Sequence, residues 1–148
     1  MEKVIIIRYC ELYLKGKNRG FFERQFVVNM ERALKGTRHE IRRQSGRYVI
    51  EGFDEVDISL ILSKLGKVFG IHTLSVALRV RSDMGEIYNA AKQVTPAGGT
   101  FKVETHRADK TFPLNSMQIS AQIGGRLLDD VKTLSVDVHN PEHVINID

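Results

Sequence analysis

The sequence predicts an α+β fold in two units, on three observations. Apolar residues recur with a helical period in four segments, and short β-branched or alternating runs lie between them. Over residues 1–80 these elements follow the order β, α, β, β, α, β. Beyond that point a new helix signal and a glycine pair open a second set of elements, with no low-complexity linker in between, so the two sets are expected to pack against each other.

Val4-Ile5-Ile6-Ile7 is apolar on both faces, the mark of a central strand, and the run ends at Arg8-Tyr9-Cys10. From about Asn18 a helix is predicted with Phe22, Phe26, Met30, Ala33 and Leu34 as its buried stripe, closed by Gly36. Residues 39–43 and 47–51 alternate around Gln44-Ser45-Gly46 and predict a hairpin. Ile58, Ile61, Leu62 and Leu65 form a second helical stripe from about Asp57, and residues 73–80 are extended. This is the split βαβ, or ferredoxin-like, order.

The second unit starts with Asp83-Met84-Gly85-Glu86, which has the spacing of a capping box, followed by Ile87, Ala90, Ala91 and Val94 as a buried stripe that must stop before Pro96. Gly98-Gly99 is read as a turn, and Gly124-Gly125 as a close helix contact. After residues 101–105, a strand, comes the basic loop Thr105-His106-Arg107-Ala108-Asp109-Lys110-Thr111-Phe112-Pro113, then a helix from about Ser116 to Val131 with Asn115 or Ser116 as its cap. Two short extended runs, 134–138 and 143–147, complete the chain, and their strand-like character up to Asp148 is the pattern of a piece of a longer protein.

Composition narrows the function. At 42% hydrophobic and 27% charged, with no long apolar run, the 148 residues fit a soluble cytoplasmic domain rather than a membrane or secreted one. The single cysteine, Cys10, excludes an internal disulfide and a Cys-based zinc cluster. His139 and His143 are four apart, a spacing that could ligate zinc from a helix, but Pro141 lies between them and no carboxylate or Cys partner is evident, and Asp129-Asp130 reads as the solvated end of a helix rather than a catalytic pair. Net charge is +4, unevenly spread: residues 1–50 carry twelve Lys and Arg against five acids, residues 51–148 ten against thirteen. A basic first third points to a polyanion, with nucleic acid ahead of an acidic protein surface.

The basic loop is the strongest candidate site. A strand that ends in Arg107 and Lys110 and leads into a capped helix places two cations and the helix's unpaired N–H groups together, a geometry that holds phosphate; the alternative is a surface loop with solvated charges. Lys102 lies on the strand itself. Phe112 either stacks on an unpaired base or anchors the loop beside Pro113. In the first unit Arg8, Lys15, Lys17, Asn18 and Arg19 form a second basic group. No Walker loop is present, no nucleotide site is expected, and residues 47–53 lack the aromatic pattern of an RNA-recognition motif.

Arg8-Tyr9-Cys10-Glu11-Leu12-Tyr13-Leu14-Lys15-Gly16-Lys17-Asn18-Arg19, with Phe22 and Glu23 behind it, resembles the opening motif of the tRNA 4-thiouridine synthetases, the tRNA sulfurtransferases also called thiamine biosynthesis protein ThiI. Arg107, Lys110, Phe112, Pro113, Ser116 and Gly124 resemble the signature of that family's THUMP domain, and Cys10 stands where the family usually has a small residue. The resemblance implies a ferredoxin-like domain over 1–80 followed by an RNA-binding α/β THUMP domain over 81–148, incomplete at its C-terminus, with the boundary between 55 and 82. It implies a tRNA-docking piece, itself non-catalytic, whose THUMP domain recognises the acceptor stem and CCA end; Arg107, Lys110, Lys102, Phe112, Arg8, Lys15, Lys17, Asn18 and Arg19 are the candidate RNA contacts, with docking of the absent PP-loop domain as the alternative role of the N-terminal cluster. ATP with Mg would serve a later PP-loop domain, whose Ser-Gly-Gly-x-Asp-Ser motif is not in these residues. A cysteine desulfurase as sulfur donor, a role in thiamine synthesis and a homodimer are further implications. Another THUMP enzyme, such as a tRNA methyltransferase, and a protein-docking scaffold for a sulfur carrier are the alternatives.

Overall fold

A computed structural model describes residues 1–10 and 16–148, which divide into a unit at Glu2–Arg79 and a second one beginning at Val80. In the first, β1 (Glu2–Tyr9), α1 (Arg19–Ala33), β2 (Glu40–Gln44), β3 (Arg47–Glu51), α2 (Ile58–Leu65) and β4 (Ile71–Arg79) follow in sequence. The strands form one antiparallel sheet in the order β2-β3-β1-β4, the ferredoxin-like arrangement. The β-branched run of β1 earns its central place: Ile5 pairs with Ile50 on one side and Val76 on the other. Its odd-numbered side chains Ile5 and Ile7 join Ile50, Tyr48, Phe26, Met30, Leu34, Ile61 and Leu65 in a single core under the two helices. Tyr9, Phe26 and Tyr48 meet edge-on or tilted, with ring centroids 5.6 to 5.9 Å apart.

The hairpin turns through two residues in the left-handed region, Ser45 at φ 51° and Gly46 at φ 77°, the geometry that follows the twist of the strands. β2 is one edge of the sheet, and Glu40, Arg42, Arg43 and Gln44 leave it exposed and charged, which discourages pairing with another sheet. One sequence expectation is corrected here: Phe22, assigned to the buried stripe of α1, is 41% exposed and lies edge-on against the more exposed Phe21. It belongs to the first turn, whereas the stripe is covered from Phe26 onward.

The second unit contains α3 (Met84–Val94), β5 (Gly99–Thr105), α4 (Ser116–Asp130), β6 (Leu134–Val136) and β7 (His143–Ile147). Its sheet is parallel, in the order β6-β5-β7, so β5 is paired along both edges. Phe101, at its centre, is fully buried against Ile119, Ile123, Leu127, Leu134 and Ile145. Three expectations change. Asp83 accepts from the backbone N–H of Glu86 at 3.0 Å, but the Glu86 carboxylate turns to Arg81, so only half of the capping box forms. Val94 is 54% exposed, and Tyr88, not assigned to the stripe, is buried with its hydroxyl donating to Asp130. Gly124 would place a methyl 3.7 Å from Val103, ordinary contact, and Gly125 faces open space, so neither position requires glycine for close packing.

Candidate nucleic-acid interface

The candidate loop, residues 106–115, leaves the C-terminal end of β5, the end at which ligand sites of parallel sheets gather. Both of its ends are fixed. The His106 N–H donates to the Ile147 carbonyl at 2.8 Å, and Thr105 and Ser120 hydroxyls lie 2.8 Å apart, tying strand to helix. At the far end Asn115 accepts from Gln118 N–H while the Gln118 side chain accepts from Asn115 N–H, both at 2.8 Å, a complete capping box.

Between these ends the loop is held by its own polar groups. Arg107, half-buried, donates from one guanidinium nitrogen to the carbonyls of Phe112 at 3.0 Å and Leu114 at 3.1 Å. Asp109 accepts from the backbone N–H of Thr111 at 2.9 Å and from its hydroxyl at 2.5 Å, an Asx turn. The Thr111 hydroxyl and then its N–H hold the Asp109 carboxyl below the usual carboxylate range. Phe112 and Leu114 pack onto the second core. Lys110 is carried at the tip of this frame, exposed and in no ion pair among the described residues.

The sequence reading treats Arg107 and Lys110 as an equivalent pair of outward cations, and the structure separates them. Arg107 spans the loop and fixes the carbonyls that shape it; Lys110 is the cation offered to solvent. Phe112 takes the anchor position. Lys102 forms an ion pair with Glu104, two residues along the same strand face, and this pairing lowers the Glu104 carboxyl.

In the first unit the basic group is equally divided. Arg19, the first residue of α1, pairs with Glu23 at 3.1 Å, and Glu23 is shared with Arg43 at 2.9 Å. That neighbouring carboxylate raises the Arg43 guanidinium's affinity for its proton. Arg8 is half-buried near the end of β1. Asn18 occupies the N-cap position of α1 without a side-chain capping bond, and Lys17 beside it is exposed with no ion pair among the described residues. Lys15 lies outside the described residues.

Two features escape the sequence reading. The Arg126 guanidinium lies 3.9 Å above the Tyr88 ring, whose hydroxyl donates to Asp130, so α3 and α4 are braced by a cation-π contact and a charged hydrogen bond. Asp130, expected as a plain solvated helix end, is held below its ordinary value chiefly by the Tyr88 hydroxyl. The second is a basic groove that includes Arg32, Lys64 and Lys67, at the ends of α1 and α2. No helix among the described residues is long and apolar enough to cross a membrane, and no group of three or more His, Cys, Asp or Glu among them is placed to hold a metal ion.

Fold and loop together define a protein that pairs a ferredoxin-like unit with a THUMP unit: residues 4–75 match the ThiI ferredoxin-like domain and residues 81–148 the THUMP domain. A probable tRNA sulfurtransferase of Thermoanaerobacter sp. is 39% identical over 151 residues, covering all of this chain and 39% of that protein, and one of Clostridium acetobutylicum is 37% identical with 38% of its length covered. Among solved structures, a 4-thiouridine synthetase in complex with RNA and with bound ATP superposes over 99% of this chain and 38% of its own, with a TM-score of 0.81 and 34% identity. PH1313 from Pyrococcus horikoshii Ot3 superposes over 99% of this chain and 51% of its own, with a TM-score of 0.80 and 28% identity. The chain belongs to the ThiI family, and it spans about two fifths of the curated relatives it matches, 39% in the first of them.

Proposed function

We propose that this chain is the RNA-docking part of a tRNA sulfurtransferase that forms 4-thiouridine, and that its second unit receives the acceptor end of the tRNA. The observation that carries this reading is the loop at the end of β5: a frame held by Arg107, Asp109 and the Asn115 capping box leaves Lys110 exposed on the segment that leads into α4. An exposed cation on a loop that enters a capped helix suits a backbone phosphate. The likeness to a synthetase solved with RNA, over 99% of this chain, supports the same reading.

Recognition rests on shape and backbone charge, because an A-form stem hides its base edges in a deep, narrow groove. The chain binds and positions; activation of the target uridine with ATP and Mg, and transfer of sulfur delivered by a cysteine desulfurase, belong to other parts of the whole protein, acting in the cytoplasm. Homodimer formation and a part in thiamine synthesis follow the same family reading.

A titration of this chain with intact tRNA, an acceptor minihelix, and that minihelix without its CCA tail tests the proposal. Tight binding to the first two and weaker binding to the third is expected. Equal affinity for all three would reduce the interaction to nonspecific charge.

A further inference from the structure

Glu23 serves two arginines at once. One oxygen of its carboxylate accepts from Arg19 Nε at 3.1 Å and the other from a guanidinium nitrogen of Arg43 at 2.9 Å, so a residue of α1 holds one cation of its own helix and one from β2. The Glu23 side chain is only 16% exposed, whereas those of Arg19 and Arg43 are 58% and 44% exposed. The Tyr9 side chain holds Arg43 from a second direction. The carboxylate is thus covered and the two guanidiniums face outward, each with five N–H donors of which Glu23 engages a single nitrogen.

Helix stability does not account for this arrangement. Cations suit the C-terminal end of a helix, yet Arg19 is the first residue of α1, and the first turn holds no acid. An arginine placed four residues before a glutamate is also the weaker order for such a pair. The same end of α1 carries Lys17 and Arg24, both exposed, and Arg24 folds back until its guanidinium would lie 3.3 Å from a Cβ on Gly20. Glu23 therefore leaves an excess of positive charge here, and it draws together two like charges that would otherwise repel.

We propose that Arg19 and Arg43 form a clamp for one backbone phosphate of RNA and that Glu23 is its positioning residue; the inference rests on the RNA-docking reading above. A guanidinium presents a planar fork of N–H groups that matches phosphate oxygens, and two forks tied to one carboxylate are oriented before the ligand arrives. An acidic protein segment would offer carboxylates to the same pair. The excess of twelve Lys and Arg over five acids in residues 1–50 decides for the longer polyanion.

The test titrates the whole chain with a tRNA transcript across a range of salt. Plain charge counting predicts that Glu23→Gln, which removes a negative charge, strengthens binding. The clamp predicts the reverse: Glu23→Gln weakens binding and lowers the salt slope by up to about 0.7 to 0.9, the value of one phosphate contact. Arg19→Gln combined with Arg43→Gln should lower the slope by about 0.7 to 0.9 in total and not by twice that. Added to the double arginine variant, Glu23→Gln should weaken nothing further, because it acts through those two side chains. Thermal melting checks that each variant keeps the fold; if Glu23→Gln does not, the double arginine variant, which leaves the carboxylate in place, decides. Stronger binding by Glu23→Gln overturns the positioning role. If all these variants bind like the parent while Lys110→Ala lowers the slope, the clamp falls and the docking reading stands. If Lys110→Ala has no effect either, both fall.

Discussion

In the first unit the groove cations sit on or just after regular helices, so their positions follow from the helical framework, and none of the groove's lining residues is acidic. In the second, the cations stand on a loop that must first be given a shape, and one of them is consumed in giving it: Arg107 binds two loop carbonyls, and only Lys110 is left pointing outward. A loop needs internal partners because its backbone has no ladder to satisfy it, whereas a helix satisfies its own and leaves long side chains for other work. Counting basic residues in a motif therefore overstates the charge offered to a ligand wherever the motif is irregular.

The largest expected effect concerns what the loop stands on. Phe101→Ala removes the centre of the second core and should lower stability by about 3 to 5 kcal/mol, read by urea unfolding; a loss under 1 kcal/mol would mean that the β5 platform is not what supports the loop. Next comes Arg107→Ala, which strips two carbonyls of their donor and should cost about 1 to 3 kcal/mol, discounted toward the lower end because the side chain is half-exposed. Arg107→Lys should fail to restore it in full, since the lysine nitrogen ends one bond short of the guanidinium nitrogen that reaches both carbonyls. Full recovery with lysine would return Arg107 to the same class as Lys110.

Asn115→Ala breaks the capping box of α4 and should cost about 1 kcal/mol in thermal or chemical denaturation. Lys110→Ala should change stability by no more than about 0.5 kcal/mol, as for other exposed sites. It should nonetheless lower the salt slope of tRNA binding by about 0.7 to 0.9, the reverse of the pattern expected at Arg107. The smallest effect is electrostatic. Asp109 is held below its ordinary carboxylate value by Thr111, so its contribution to stability is present above the unfolded value of about 3.9 and is lost as pH falls through the folded one. Thr111→Val should bring the Asp109 titration, followed by NMR, back toward the ordinary value; an unshifted titration would discard the Thr111 hydroxyl as its main cause.

Much of the fold is legible in the sequence because its signals are periodic and local. The β-branched run of β1, the Ser45-Gly46 turn and the stripe Phe26, Met30, Leu34 all specify their structure within a few residues. The misplaced residues are in end turns: Phe22 in the first turn of α1 and Val94 in the last of α3. A period tells which side of a helix a residue occupies but not where along it the covering layer stops. Tyr88 was hidden for another reason, since its burial depends on an Asp130 partner 42 residues away that no local pattern reports. The division of labour between Arg107 and Lys110 is likewise set by the path of the loop carbonyls, a tertiary property. Arg32, Lys64 and Lys67 carried no signal at all, because the groove exists only once two helix ends meet.

The arrangement of β5 bears on how the molecule is made. Each of its neighbours, β6 and β7, comes from sequence synthesised after it, whereas β1 finds its last partner by Arg79. On a ribosome that releases the chain from its N-terminus, the first sheet can close while the strand carrying Phe101 is still waiting with bare edges, and nonlocal parallel pairing of this kind is slow. Translation arrested between α4 and β6 would therefore leave β5 with both edges unpaired, a state that a chaperone would have reason to shield.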